Sequence, residues 1–131
     1  MNYLVDTNIL SELVKPKPNP GVLDWAKDCQ RPIISVVTVE EVRYGLTLKP
    51  NARLESWFET YFAKRCELLE VSPKIADRAG FLRAWHRNQG RQRSLPDMLI
   101  AATASCHNLT IASRNERDFS DCGVQVLNPF T

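Results

Sequence analysis

Tyr3-Leu4-Val5-Asp6-Thr7-Asn8-Ile9-Leu10-Ser11-Glu12-Leu13-Val14 joins a short apolar run to an acid, then changes to helical spacing at Ile9, Leu10, Leu13 and Val14. The run Tyr3-Leu4-Val5 suits a strand buried on both faces, and Asp6 stands where that strand ends. The same change of period recurs along the chain. Pro32-Ile33-Ile34-Ser35-Val36, Leu68-Leu69-Glu70-Val71 and residues 109–112 and 124–127 read as further strands. Helical patterns fall between them, over residues 21–28, from about 39 to 48, and along Leu54, Trp57, Phe58, Tyr61 and Phe62. Pro73 suits the first turn of a long helix carrying Ile75, Ala79, Leu82 and Trp85 on its buried stripe. Residues 98–104 are apolar all round, which predicts a buried helix. Strands alternating with helices predict an α/β fold of three layers, α/β/α, with a mostly parallel central sheet.

The 131 residues suit a single domain spanning 1–131. A hydrophobic fraction of 44% and a charged fraction of 24% exclude a disordered chain. The net charge of +2 is too small to announce a nucleic-acid binder by itself. No apolar run approaches the length of a membrane span, and the start lacks the pattern of a signal peptide, so a cytoplasmic protein is expected. Cys29, Cys66, Cys106 and Cys122 form no CxxC pair and read as reduced thiols. Lys15-Pro16-Lys17-Pro18-Asn19-Pro20 reads as a stiff connection between two helices.

In parallel sheets covered by helices, ligands sit beyond the carboxyl ends of the strands. Four acids occupy such places: Asp6, Glu41, Asp97 and Asp118. Each has a local explanation. Asp6 suits the cap of the first helix, and Thr38-Val39-Glu40-Glu41 has the form of a capping box that places Glu41 in a first turn. Asp97 favours the positive end of its helix, and Asp118 suits a polar loop. Local preference does not explain why all four follow or face strand ends. Carboxylates gathered there repel by roughly 4 kcal/mol per pair at about 4 Å and an effective dielectric near 20, so they bind cations or take up protons. Oxygen-only ligands favour Mg²⁺ or Mn²⁺, which is the setting for metal-assisted phosphodiester hydrolysis.

Leu4-Val5-Asp6-Thr7-Asn8, Val39-Glu40-Glu41-Val42-Arg43-Tyr44-Gly45, Pro96-Asp97-Met98-Leu99-Ile100-Ala101-Ala102-Thr103-Ala104 and Ser113-Arg114-Asn115-Glu116-Arg117-Asp118-Phe119 resemble the motifs of PIN domains. The likeness is greatest to VapC-like and FitB-like toxins of bacterial toxin–antitoxin pairs, whose ending Val126-Leu127-Asn128-Pro129-Phe130 also resembles. The resemblance implies a PIN-like fold and Mg²⁺- or Mn²⁺-dependent endoribonuclease activity leaving a 5′-phosphate and a 3′-hydroxyl. It also implies a homodimer and inhibition by a cognate antitoxin, with operator DNA met only through that antitoxin. Asp6, Glu41 and Asp97 match the family's acidic positions, with Asp6 and Asp97 as direct metal ligands. The fourth position falls on Asp118, where some relatives carry their acid at the place of Asn115; Glu116 is the weaker substitute.

Arg83, His86, Arg87, Arg91 and Arg93 gather before Asp97, and Arg114 and Arg117 lie in the Asp118 loop. They read either as a solvated face or as a phosphate-contacting rim in which Arg87, Arg91, Arg93 and Arg114 meet RNA. Thr7 is placed to hydrogen-bond an acidic ligand; Asn8 either supports the acids or caps the first helix. Trp57, Phe58, Tyr61 and Phe62 read as core packing or as a groove for a partner helix. An aspartyl-phosphate mechanism would need a second Asp at Asn8, and no GxGxxG marks a dinucleotide site. The remaining alternative is an inactive PIN-like module that only binds RNA or protein.

Overall fold

The computed structural model describes residues 2–131. Five short strands, β1 (Tyr3–Val5), β2 (Ile33–Ser35), β3 (Glu67–Leu69), β4 (Thr110–Ala112) and β5 (Val126–Leu127), form one sheet in the order β3-β2-β1-β4-β5. Every pairing is parallel. The chain builds outward from β1 to β3, then returns across β1 to lay down β4 and β5. That reversal puts the topological switch beside β1, at the carboxyl end where Asp6 lies.

Six helices cover the sheet: α1 (Thr7–Leu13), α2 (Pro20–Asp28), α3 (Val36–Leu48), α4 (Ala52–Lys64), α5 (Pro73–Asn88) and α6 (Leu95–His107). Strand alternation divides the core into two halves. Leu4, Ile33 and Ile111 face one side with Ile75, Ala79 and Leu82 of α5 and Met98, Ile100 and Ala101 of α6. Val5, Ile34 and Ala112 face the other with Ile9, Leu10, Val22, Val42 and Phe58 of α1 to α4. The expected three-layer α/β/α architecture is therefore present.

Some element boundaries differ from expectation. β2 ends at Ser35, and α3 begins at once at Val36 rather than near residue 39. Ser35 is the N-cap, its Oγ accepting from Val37 N at 3.0 Å. Thr38 and Glu41 are therefore not a capping box: Thr38 is buried inside α3, and Glu41 lies in the second turn. β3 is shifted earlier than the expected 68–71, because Ile33 and Ile34 of β2 pair with Glu67 and Leu68. On α5, His86 is fully buried while Trp85 is 39% exposed, reversing the expected arrangement. At 100° per residue, position 86 falls almost in line with Ile75, Ala79 and Leu82, and position 85 does not. In the aromatic stripe of α4, Phe58 and Tyr61 are buried, while Trp57 and Phe62 are half-buried against the same core.

Candidate active site

Asp6 continues β1 by one ladder bond, its N–H donating to Ala112 O at 2.9 Å. This fixes its side chain at the carboxyl end of the central strand, where it also caps α1. Oδ1 accepts from Thr7 N at 2.8 Å, while Oδ2 accepts from Ser113 Oγ at 2.8 Å and from Asn8 Nδ2 at 3.2 Å. Asn8 also accepts from Arg114 N at 3.1 Å, so it ties the Asp6 turn to the segment after β4. The two readings of Asn8 thus resolve: Asp6 is the cap, and Asn8 is its support. Burial pushes the Asp6 carboxyl above the ordinary Asp range. The bonds from Ser113 and Thr7 oppose that rise, and the nearby charge of Asp118 adds to it.

Glu41 reaches the same place from α3. Its Oε1 accepts from Thr7 Oγ1 at 2.9 Å, and the Thr7 hydroxyl also stands 3.3 Å from Thr38 Oγ1. Burial raises the Glu41 carboxyl, the Thr7 bond restrains it, and the charges of Asp6, Asp97 and Glu40 raise it further. Asp97 occupies the first turn of α6, its N–H donating to the N-cap Ser94 Oγ at 3.2 Å. Its carboxyl is also raised, first by burial and then by Asp6 and Asp118, against a hydrogen bond from Ser94 and the charge of Arg93.

Asp6, Glu41 and Asp97 line one cleft of about 430 Å³ with Thr7, Asn8 and Asn115. Lys15, paired with Glu12, and Arg114 also line the cleft; its other polar groups are carboxylates, hydroxyls and amides with no Cys or His, a donor set that suits a hard divalent cation. None of the ion pairs among the described residues involves Asp6, Glu41, Asp97 or Asp118. Nor do any three His, Cys, Asp or Glu side chains among them close on a single ion position. The acids thus surround an open cleft rather than a tight cage.

Asp118 lies on the 3₁₀ turn Glu116–Phe119, half-buried and outside the lining of the cleft. It is near enough for its charge to act on both Asp6 and Asp97. The arginines do not form one rim. Arg114 lines the acid cleft and stacks over Phe130, its Cζ 4.8 Å from the ring centroid. Arg87, Arg91 and Arg93 line a separate cleft of about 610 Å³ with Arg83. His86 is not part of that basic face. It is buried, with Nδ1 accepting from Arg91 Nε at 3.0 Å and Nε2 3.4 Å from Cys122 Sγ. Burial, then the charges of Arg93 and Arg91, hold its imidazole below the ordinary range. All four cysteines are free thiols.

The residue missed in the sequence is Ser113, fully buried and the strongest side-chain donor to Asp6. The rule that located the acids would have found it, because Ser113 directly follows β4, the neighbour of β1. Applied only to charged residues, the rule passed over a hydroxyl.

A PIN domain family model matches residues 3–124. Toxin FitB of Neisseria gonorrhoeae is 33% identical, with 97% of this chain and 97% of FitB covered. VapC ribonuclease Y4jK of Sinorhizobium fredii is 32% identical over 97% of this chain and 96% of its own. A chain in the structure of FitAB bound to an IR36 DNA fragment superposes with a TM-score of 0.83 at 31% identity, covering 98% of this chain and 96% of that one. With β1, α3, α6 and the turn after β4 all inside the matched span, this chain belongs to the PIN-domain family and falls among its VapC-like and FitB-like members.

Proposed function

We propose that this protein is a metal-dependent endoribonuclease, the toxic half of a toxin–antitoxin pair. The observation that carries this reading is the acid cleft. Asp6, Glu41 and Asp97 arrive from three distant parts of the chain, burial raises all three carboxyls, and neighbouring carboxylates, Asp118 among them, raise them further. A folded protein keeps such an arrangement at a cost, and a divalent cation relieves it.

Asp6 and Asp97 would hold the cation, Mg²⁺ or Mn²⁺. When bound, it supplies a lowered pKa for an attacking water and neutralises charge on the phosphate. The chain's own residues do the positioning. Ser113 and Asn8 fix the Asp6 carboxylate, Ser94 fixes the start of α6 beneath Asp97, and Thr7 orients Glu41 toward the cleft. Glu41 places the attacking water, and Asp118 orients it from the 3₁₀ turn or helps hold a second cation when RNA is present. In-line attack leaves a 5′-phosphate and a 3′-hydroxyl.

Of the four arginines expected to meet RNA, Arg114 lines the cleft and Arg87 is exposed, and we assign the phosphate-facing role to these two. Arg91 and Arg93 are already engaged within the protein. FitB and Y4jK carry the names of a toxin and a ribonuclease, and FitAB is an assembly on DNA. By that likeness we assign this chain a cognate antitoxin partner, with operator DNA reached through it, and a homodimeric state in the cytoplasm. Exposed Tyr44 and Leu48 on α3 and Phe81 on α5 supply apolar surface for pairing.

The test is cleavage of cellular RNA with Mg²⁺ or Mn²⁺, with end-mapping of the products, against EDTA and the Asp97→Asn variant. Cleavage lost in both controls is the expected result. Equal cleavage by Asp97→Asn, or RNA binding with no cleavage under any metal, returns the protein to the class of inactive binding modules.

A further inference from the structure

Arg93 precedes the N-cap of α6 by one residue and Asp97 by four. Its guanidinium nevertheless ends on the segment after the 3₁₀ turn. Nη1 donates to Asp118 O at 2.8 Å and to Ser120 O at 3.0 Å, and Nη2 donates to Ser120 Oγ at 3.0 Å. Nη1 also stands 3.8 Å from Cys122 Sγ. A turn this short leaves carbonyls at its end without partners in the turn, and such groups need donors. Here one planar side chain supplies them. The next residues are gripped as well: Arg91 reaches the Asp121 carboxylate at 3.7 Å, and Cys122 is buried against His86.

We propose that Arg93 is a positioning residue, a clamp between the start of the Asp97 helix and the Asp118 turn that sets the two acids against each other. This rests on the nuclease reading above. Arg93 touches no RNA in this role; it acts through Asp118. The arrangement requires arginine rather than any cation. A planar fork donates along several fixed directions at once, whereas lysine offers one nitrogen. A phosphate contact makes the opposite demand, since lysine serves phosphate well as a point charge.

The experiment compares Arg93→Lys and Arg93→Ala with wild type. Displacing a catalytic group by about 1 Å costs on the order of 100-fold in rate. We therefore expect kcat on a fixed RNA to fall 10- to 100-fold in both variants. KM and its salt dependence should stay near wild type, and lysine should restore little. Hydrogen exchange of amides 117–122 should quicken in both variants while α4 is unchanged. A raised KM, a flattened salt slope and rescue by lysine would make Arg93 a phosphate contact and overturn the clamp. Unaltered exchange at 117–122 would overturn it as well. Should wild type cut no RNA, the nuclease reading fails separately, and hydrogen exchange alone decides whether the clamp exists.

Discussion

The acid cleft, lined by Asp97 of α6, and the arginine-lined cleft, lined by α5 and by residues 90–93, treat charge in opposite ways. In the acid cleft, Asp6 and Glu41 are met by neutral donors, the Ser113 and Thr7 hydroxyls and the Asn8 amide, and no arginine or lysine pairs with them. In the arginine-lined cleft two cations are satisfied from within, Arg93 by two carbonyls and a hydroxyl and Arg91 by His86 and Asp121, while Arg83 and Arg87 are exposed. Hydroxyls orient a carboxylate without cancelling its charge, so Asp6 and Glu41 are left in need of a cation although Lys15 and Arg114 line the same cleft. In the second cleft, Arg91 and Arg93 serve as framework, and Arg87 is left facing solvent. A cluster of charged residues thus says little about which cleft does chemistry; the identity of their partners does.

The largest test of that contrast is Asp97→Asn. Activity should fall by about 1,000-fold or more, on the scale of losing a group that holds the reacting charge, while the fold should become more stable in metal-free buffer. The second outcome follows from burial of the Asp97 carboxyl and from its charge on Glu41: the amide removes a buried carboxylate and relieves Glu41. Urea midpoints in EDTA provide the measurement, and a destabilised Asp97→Asn would mean the cleft is no more strained than its neighbour. A smaller effect is expected from Ser113→Ala. Removing the buried donor at 2.8 Å leaves Asp6 Oδ2 with only Asn8, at a cost of about 1–3 kcal/mol. A Ser113→Ala protein with wild-type stability would show that Asn8 and Thr7 suffice to hold Asp6.

Most of this contrast was half legible in the sequence. The alternation of strands and helices gave the layers, because a parallel sheet writes its burial as plain apolar runs such as Tyr3-Leu4-Val5. The acids were legible because strand-end position and charge coincide at Asp6. Boundaries were less so: the Thr38-x-x-Glu41 pattern imitates a capping box, and only the backbone reveals that Ser35 already caps α3. Partners were least legible. Arg93 and Asp118 lie 25 residues apart, and a cluster of arginines reads as a nucleic-acid rim until the carbonyls that occupy them are placed. His86 was read with its charged neighbours in sequence, although its phase on α5 aligns it with Leu82 and Ala79.

The smallest expected effect concerns pH, and here the acid cleft and the buried His86 should differ in sign. His86 is buried and faced by Arg91, Arg93, Trp85 and Cys122, with Asp121 the acid acting on it, and its pKa is held below 6.5. The unfolded chain therefore takes up a proton that the folded protein refuses. Stability falls as pH drops through about 6.5, and the loss levels off once the lower folded value is passed. The raised acids do the reverse: the folded state holds their protons more tightly, so acidification toward the ordinary Asp value of 3.8 favours the fold at the acid cleft. Urea midpoints between about pH 7.5 and 5.5 should decline for wild type and for Asp97→Asn, and should flatten for His86→Gln. The other histidine, His107, is exposed and lies outside this network. A His86→Gln protein that keeps the wild-type slope would separate acid sensitivity from His86, and its opposition of sign to the acid cleft would fail with it.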